Sequence, residues 1–380
     1  MGERGLVLWS AGTAARRASG ASAARQELAR ADCARLQAEL ERLRMVGIGG
    51  PRLVEIGAPP ALARFVADFR AVAARHGVLR EFATLRVLRA LEDAGIPAAA
   101  LKGPALARRL YGDAGARASH DIDVLVAPEH LARAVAVAAE LGYARPADRV
   151  DRAGRPLLHF ALPGAGDVPD LELHWRVHWY EERFAPRALA RSRPAEDGRR
   201  FQPPDELAML LLFYARDGFA GLRLAADVAA WWDRCGAELD PGALAAIARA
   251  EPGLDRALAT ASRVAARTTG VPDLLAGRPA SRLAARIANW PLAGSTDQLR
   301  ADQALVDLLL APPGGRAAFV RRQVLMPRAA VAEWLAPARV GRVRLRAEQA
   351  LRPLKLAVRW SLALRRALSP SGPGWRRCRS

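Results

Sequence analysis

Lysine is almost missing from this chain: of 58 basic residues, only Lys102 and Lys355 are lysine and the rest are arginine. The formal net charge of +19 therefore reads as compositional drift toward arginine as much as a demand for nucleic acid. Cysteine is scarce too. Cys33, Cys235 and Cys378 are odd in number and far apart, which excludes a disulfide framework and a CxxC zinc site. Aromatic residues are 6% of the chain, so the core must come mainly from Ala, Leu and Val, which favours helices. No apolar run reaches the ~18 residues of a membrane span. The best one, Leu207 to Ala215, reads as a buried helix. The N-terminus shows no apolar core followed by a cleavage site, and the expected location is the cytoplasm. What is present excludes wholesale disorder: 51% hydrophobic and 26% charged residues are ordinary for a folded chain.

The 380 residues suggest one large or two medium domains. Residues 1–60 read as an N-terminal extension with a disordered start over Gly12 to Arg25, one helix over Ser22 to Arg44, and a Gly/Pro-rich break from Gly47 to Pro60. Residues 61–200 read as an α/β core with leading helices. Helices are expected over Ala61 to His76 and Val78 to Ala94, separated by Gly77, and again over Pro104 to Tyr111 and Glu129 to Leu141. Strands are expected over Ile96 to Leu101, His120 to Val126, Leu157 to Leu162 and Val168 to Val177. Residues 201–368 read as a helical domain, with Asp205 capping its first helix, and 369–380 as a basic tail. The fold class is α+β: a small mixed sheet flanked by helices, then a larger helical part. From Val320 to Ser380, fifteen basic residues face two acidic ones. Such a stretch suits phosphate, RNA or an anionic membrane surface, or is simply a solvated helical face.

Chemistry concentrates between Leu101 and Val126. Side chains alternate along a strand, so Asp121 and Asp123 share one face while Ile122, Val124 and Val126 enter the core. Carboxylates about 7 Å apart at Cα can converge on one or two divalent cations, and hard oxygen donors suit Mg²⁺ or Mn²⁺. The segment Asp170-Leu171-Glu172-Leu173-His174 alternates as well. If its strand pairs beside the first, Glu172 completes a three-carboxylate cluster of the kind that clamps phosphoryl transfer. His174 either orients a carboxylate, contacts substrate or simply packs. Lys102 and Gly103 sit at a strand-to-helix turn, where backbone N–H groups and a close backbone approach suit phosphate. Arg117 could hold the β/γ phosphates or be an exposed loop arginine.

The Lys-Gly turn, short helix, Tyr111, Arg117 and Asp121-x-Asp123 block resembles the bacterial uncharacterised nucleotidyltransferase family, within the DNA polymerase β-like nucleotidyltransferase superfamily. Gly103, Asp121, Asp123 and Glu172 match the superfamily pattern in order. Leu171 to Trp175 looks like the family's third-acid strand, and Leu222 to Trp231, with Asp227, is similar to its following helix. The resemblance covers 78–235. It departs from the pattern at Pro104, which replaces the usual serine, and between Phe213 and Gly218, where related members carry histidines and this chain has Tyr214 and Asp217. The resemblance implies transfer of a nucleoside monophosphate from an NTP to an acceptor, with release of pyrophosphate. Asp121, Asp123 and Glu172 would be the catalytic and metal-binding residues, and Lys102, Gly103 and Arg117 the nucleotide-binding ones. It leaves the acceptor open among a sugar, a small molecule, RNA and a protein. Two other readings stay open: a DxD metal-dependent glycosyltransferase, and a non-catalytic regulator or scaffold on the same fold.

Overall fold

The computed structural model describes residues 2–119, 121–145, 157–181, 183–195, 198–287, 296–324 and 342–368. His120 and the tail 369–380 lie outside them. Residues 2–60 form four helices and the start of a fifth, joined by short turns, which corrects the expectation of a partly disordered extension with one helix. Helices α1 (Gly2–Ser10), α2 (Ala14–Leu28), α3 (Cys33–Arg42) and α4 (Val46–Glu55) lead into α5 (Pro60–Asp93). Local chemistry explains the starts. Thr13 accepts a hydrogen bond from the Arg16 N–H, and Asp32 accepts one from Arg35. The Asp32 cap also divides the single helix expected over Ser22 to Arg44. Leu6, Val7, Leu36, Leu40, Ile48 and Leu53 are buried in the same core as the C-terminal helices, so these helices are part of the body of the protein.

Glycines taken for breaks are close-packing positions inside helices. The supposed break at Gly47 lies in α4, where a Cβ would come within 2.3 Å of the Ala116 carbonyl oxygen. The two helices expected either side of Gly77 are one helix, α5. A Cβ at Gly77 would meet the Gly115 nitrogen at 2.6 Å, and one at Gly115 would meet the Ala73 oxygen at 2.4 Å. The loop over residues 112–119 is thereby pressed onto α5 and α4 before it enters the acidic strand. Gly77→Ala should lower the thermal unfolding midpoint. Overpacking against backbone costs about 1–3 kcal/mol, which outweighs the ~1 kcal/mol gained in helix propensity. An unchanged or raised midpoint would show that no close approach is being kept.

The sheet follows. Its strands are β1 (Ala98–Ala100), β2 (Asp121–Val126), β3 (His159–Leu162) and β4 (Asp170–His174), in the order β1-β2-β4-β3. β2 and β4 run parallel, and β1 and β3 are antiparallel to their neighbours. Between β1 and β2 lies α6 (Pro104–Tyr111), and after β2 comes α7 (Leu131–Glu140). One sheet face buries Ile122, Val124, Val126, Phe160, Leu162, Leu171 and Leu173 against Val87 and Leu91 of α5 and Leu131, Ala134 and Ala138 of α7. The other face carries the acids. Among the described residues only one strand precedes the Asp-x-Asp strand, short of the alternating strands and helices that a nucleotide-sugar transferase core would need.

Among the described residues, the remainder is helical apart from a hairpin. Helix α8 (Phe184–Arg191), strands β5 (Arg193–Ala195) and β6 (Gly198–Arg200), α9 (Pro203–Arg216) and α10 (Leu222–Cys235) come first. They are followed by α11 (Pro241–Ala250), α12 (Pro252–Thr269), α13 (Arg282–Ile287), α14 (Thr296–Leu310), α15 (Arg316–Gln323) and α16 (Arg342–Leu368). Asp205 does not cap α9. It is buried and accepts from Nη2 and Nε of the Arg191 guanidinium, at 2.6 and 3.2 Å. Two residues of the C-terminal segment pack against α14: Arg366 pairs with Asp302 at 2.9 Å, and the Trp360 indole donates to the Ala301 carbonyl at 2.9 Å. Among the described residues no helix is long and apolar enough to cross a membrane. The fold is α+β, with a small mixed sheet and a helical C-terminal part.

Candidate active site

Strand pairing brings the three acids together. In the β2–β4 register Asp121 lies opposite Asp170, Asp123 opposite Glu172 and Leu125 opposite His174. Asp121, Asp123 and Glu172 each offer a carboxylate oxygen, all within 4.8 Å of one another. Asp121 and Glu172 are half-buried and Asp123 is buried. Ser119 fixes Asp121, its hydroxyl donating to Oδ1 at 2.6 Å.

Asp123 is the electrostatic centre. Its Oδ1 receives Lys102 Nζ at 2.8 Å and His174 Nε2 at 3.0 Å. Burial works to raise its pKa, but Lys102 and His174 outweigh burial and hold it well below the usual carboxylate range. Its Oδ2 is buried without a hydrogen-bond partner. An orphaned anionic oxygen is costly. Beside two more carboxylates, it fits a divalent cation held by oxygen donors. His174 Nε2 also lies 3.0 Å from Glu172 Oε2, and His159 Nε2 lies 3.6 Å from Glu172 Oε1. Burial first, then His174 and Arg216, push His159 down to about 3, so its ring is neutral at ordinary pH.

Gly103 opens α6 with φ +85° and ψ −150°, a region open essentially to glycine alone. A Cβ there would meet nothing within 4 Å, so there is room in front of this turn. Lys102 faces the carboxylates and lies 4.6 Å from the Phe213 ring centroid.

Arg117, expected as a nucleotide-binding residue, is not the exposed loop arginine of the alternative reading. It is buried, and its Nε donates to Asp227 Oδ2 at 2.6 Å. The Tyr111 hydroxyl donates to Asp227 Oδ1 at 2.8 Å. Burial and the Asp227 charge raise the Tyr111 phenol well above its ordinary pKa; burial lowers the Arg117 value, but Asp227 more than restores it. Arg223 adds a hydrogen bond to the Ala118 carbonyl. Helix α10 thus pins the loop that delivers Ser119 and Asp121.

Sequence reasoning missed three contributors. Arg216, at the end of α9, lies 4.7 Å from the Phe213 ring centroid, and its Nη1 is buried without a partner. His159 stands opposite His174 in the β3–β4 register. The alternation of His159 and Ala161 with buried Phe160 and Leu162 was the available signal. Arg80 of α5 interacts electrostatically with Asp121, and nothing in the sequence marked it.

Two other features lie away from the acids. A cavity of about 990 Å³ is lined by Arg108, Arg109, Arg193, Arg200, Trp231 and other residues, and includes none of the three carboxylates. Donor chemistry, not volume, identifies the site. Glu181 is fully buried, with Val177 N–H and Ala185 N–H donating to it at 2.7 and 3.2 Å. Burial, against those hydrogen bonds, raises it to about 7 from a reference value of 4.5. The folded chain thus keeps a proton that the unfolded chain releases. Glu181's own contribution to stability is full below about pH 4.5 and is lost as pH rises through 7, a change of about 3 kcal/mol. Glu181→Gln should flatten this part of the profile of unfolding midpoint against pH, whatever its absolute midpoint. An unchanged slope would clear Glu181 of the effect.

The model of the family described as uncharacterised nucleotidyltransferase matches residues 16–270. The match contains every residue of the cluster and begins within α2, well before the span that sequence resemblance alone covered. No curated protein and no solved structure matches the chain.

Proposed function

The chain belongs to the uncharacterised nucleotidyltransferase family, and from that premise we propose that it moves a nucleoside monophosphate from an NTP to an acceptor hydroxyl or phosphate, using Mg²⁺ or Mn²⁺. The observation that carries the reading is the convergence of Asp121, Asp123 and Glu172 within 4.8 Å, one of whose buried oxygens lacks a partner. These three residues would hold the cation, which supplies Lewis-acid polarisation of the phosphoryl group and neutralises its charge.

The protein's own groups do the rest. Lys102, the Gly103 turn and the N-terminus of α6 receive the triphosphate. Arg216 is the second cation for it, since its buried Nη1 needs an acceptor. Glu172 is open enough to take the acceptor's proton. The acceptor oxygen bonds to the α-phosphorus, the bond to the β-phosphate oxygen breaks, and pyrophosphate leaves with the electron pair. Arg117 supports this site through Asp227.

Calorimetric titration of ATP, GTP, CTP and UTP, with and without Mg²⁺, tests the reading. Binding of at least one NTP only when Mg²⁺ is present is expected. Failure of all four to bind with Mg²⁺ would overturn it.

A further inference from the structure

We propose that the β3 side of this cluster is a second cation position, built from His159, Glu172 and His174 and suited to a transition-metal ion such as Zn²⁺ or Co²⁺. Each of these residues offers a donor atom, all within 4.8 Å of one another. The register puts His159 directly opposite His174 and Glu172 two residues before His174 on the same face. Glu172 divides its oxygens between the rings: Oε2 is 3.0 Å from His174 Nε2, and Oε1 is 3.6 Å from His159 Nε2. Ligands about 2.1 Å from one ion stand roughly 3.0–3.4 Å apart, so these separations need little adjustment.

The hydrogen bonding of His174 is a second, independent observation. This side chain is fully buried, and its Nε2 lies 3.0 Å from both Asp123 Oδ1 and Glu172 Oε2. One ring N–H cannot point at both acceptors in good geometry. Nδ1 of the same ring is buried with no partner, so no acceptor competes for a proton there, and Nε2 can act as a lone-pair donor when the ring proton sits on Nδ1. A cation between the ring and the carboxylates would resolve the crowding on Nε2.

Donor type separates this position from the oxygen-only one. Two imidazoles and a carboxylate suit Zn²⁺ and its neighbours, whereas carboxylates alone suit Mg²⁺ and Mn²⁺. Glu172 would be shared, so the inference rests on the proposed role of Glu172 as a ligand. The site would then carry two unlike ions, one selected by nitrogen and one by oxygen.

The test uses the full chain, stripped with chelator and free of nucleotide. Zn²⁺ is titrated calorimetrically, and Co²⁺ is followed by its visible absorption. Zn²⁺ binding tighter than Mg²⁺ is expected, with Co²⁺ bands typical of nitrogen ligation. His159 lies at the half-exposed edge of the site, so His159→Gln, or His159→Ala where Gln itself ligates, should keep the fold by circular dichroism. These variants should lose about 100-fold in Zn²⁺ affinity, the upper end of what even outer partners of metal ligands cost. Asp121→Asn should keep Zn²⁺ binding. Wild-type Zn²⁺ affinity in both folded His159 variants would overturn the proposal, as would Zn²⁺ bound no more tightly than Mg²⁺. Zn²⁺ binding that needs His159 in a chain that binds no Mg²⁺–NTP would sustain this site while removing the nucleotidyl-transfer reading.

Discussion

Asp121→Asn combined with Asp123→Asn abolishes Mg²⁺-dependent nucleotide binding and leaves the chain folded: that is the expected result of calorimetry with ATP alongside circular dichroism. Asparagine is the right replacement because the two positions differ in what they hold. Asp121 is half-buried and receives the Ser119 hydroxyl at 2.6 Å, a bond that an amide oxygen also accepts. Asp123 is buried and receives both Lys102 and His174. Alanine there would strand a lysine ammonium whose side chain is 14% exposed, and removing one partner of a buried pair costs about 3–5 kcal/mol. An alanine variant could fail by unfolding and say nothing of the cation. Asparagine keeps an acceptor for Lys102 while removing the second anionic oxygen, the one left without a partner. Removing both charges leaves Glu172 alone to hold a hard cation, too few donors for Mg²⁺. A folded double variant with wild-type, Mg²⁺-dependent affinity would end the proposed site.

The acids were legible because a strand has a period of two. Asp121 and Asp123 flanked by Ile122, Val124 and Val126 fix a face without any tertiary knowledge. The same reading placed Glu172 and His174 on one face of β4. It could not supply the pairing, because register between distant strands is set by the packed sheet. The glycines were misread for a related reason. Gly47 and Gly77 break a helix by propensity alone, yet here they let α4 and α5 approach the backbone over residues 114–116. A pattern along one helix says nothing of what lies against it. Arg117 and Asp227 are 110 residues apart, and neither position betrays the other. Arginine bias hid Arg216 and Arg80 as well: with 58 basic residues, no single arginine stands out by type, whereas Lys102 did.

The largest expected loss of stability is at Asp227. Asp227→Ala removes the carboxylate that accepts from both Arg117 and Tyr111, all in buried surroundings. An uncompensated buried guanidinium costs about 3–5 kcal/mol. At roughly 1–2 °C per kcal/mol for a chain of 380 residues, the unfolding midpoint should fall by about 5 °C. A companion variant identifies the cause. Arg117→Met with Asp227→Leu replaces the ion pair by apolar groups of similar volume, an exchange that is often neutral or stabilising. Most of the lost midpoint should return in that double variant. A loss below about 1 kcal/mol in Asp227→Ala would mean that this pair does not hold the loop. The double variant also decides what Arg117 does, because it lacks the guanidinium while keeping the loop packed. Retained Mg²⁺–ATP affinity would show that Arg117 acts through Asp227, by holding Ser119 and Asp121 in place. Lost affinity in the folded variant would return Arg117 to the role that the sequence first suggested, a direct contact to phosphate.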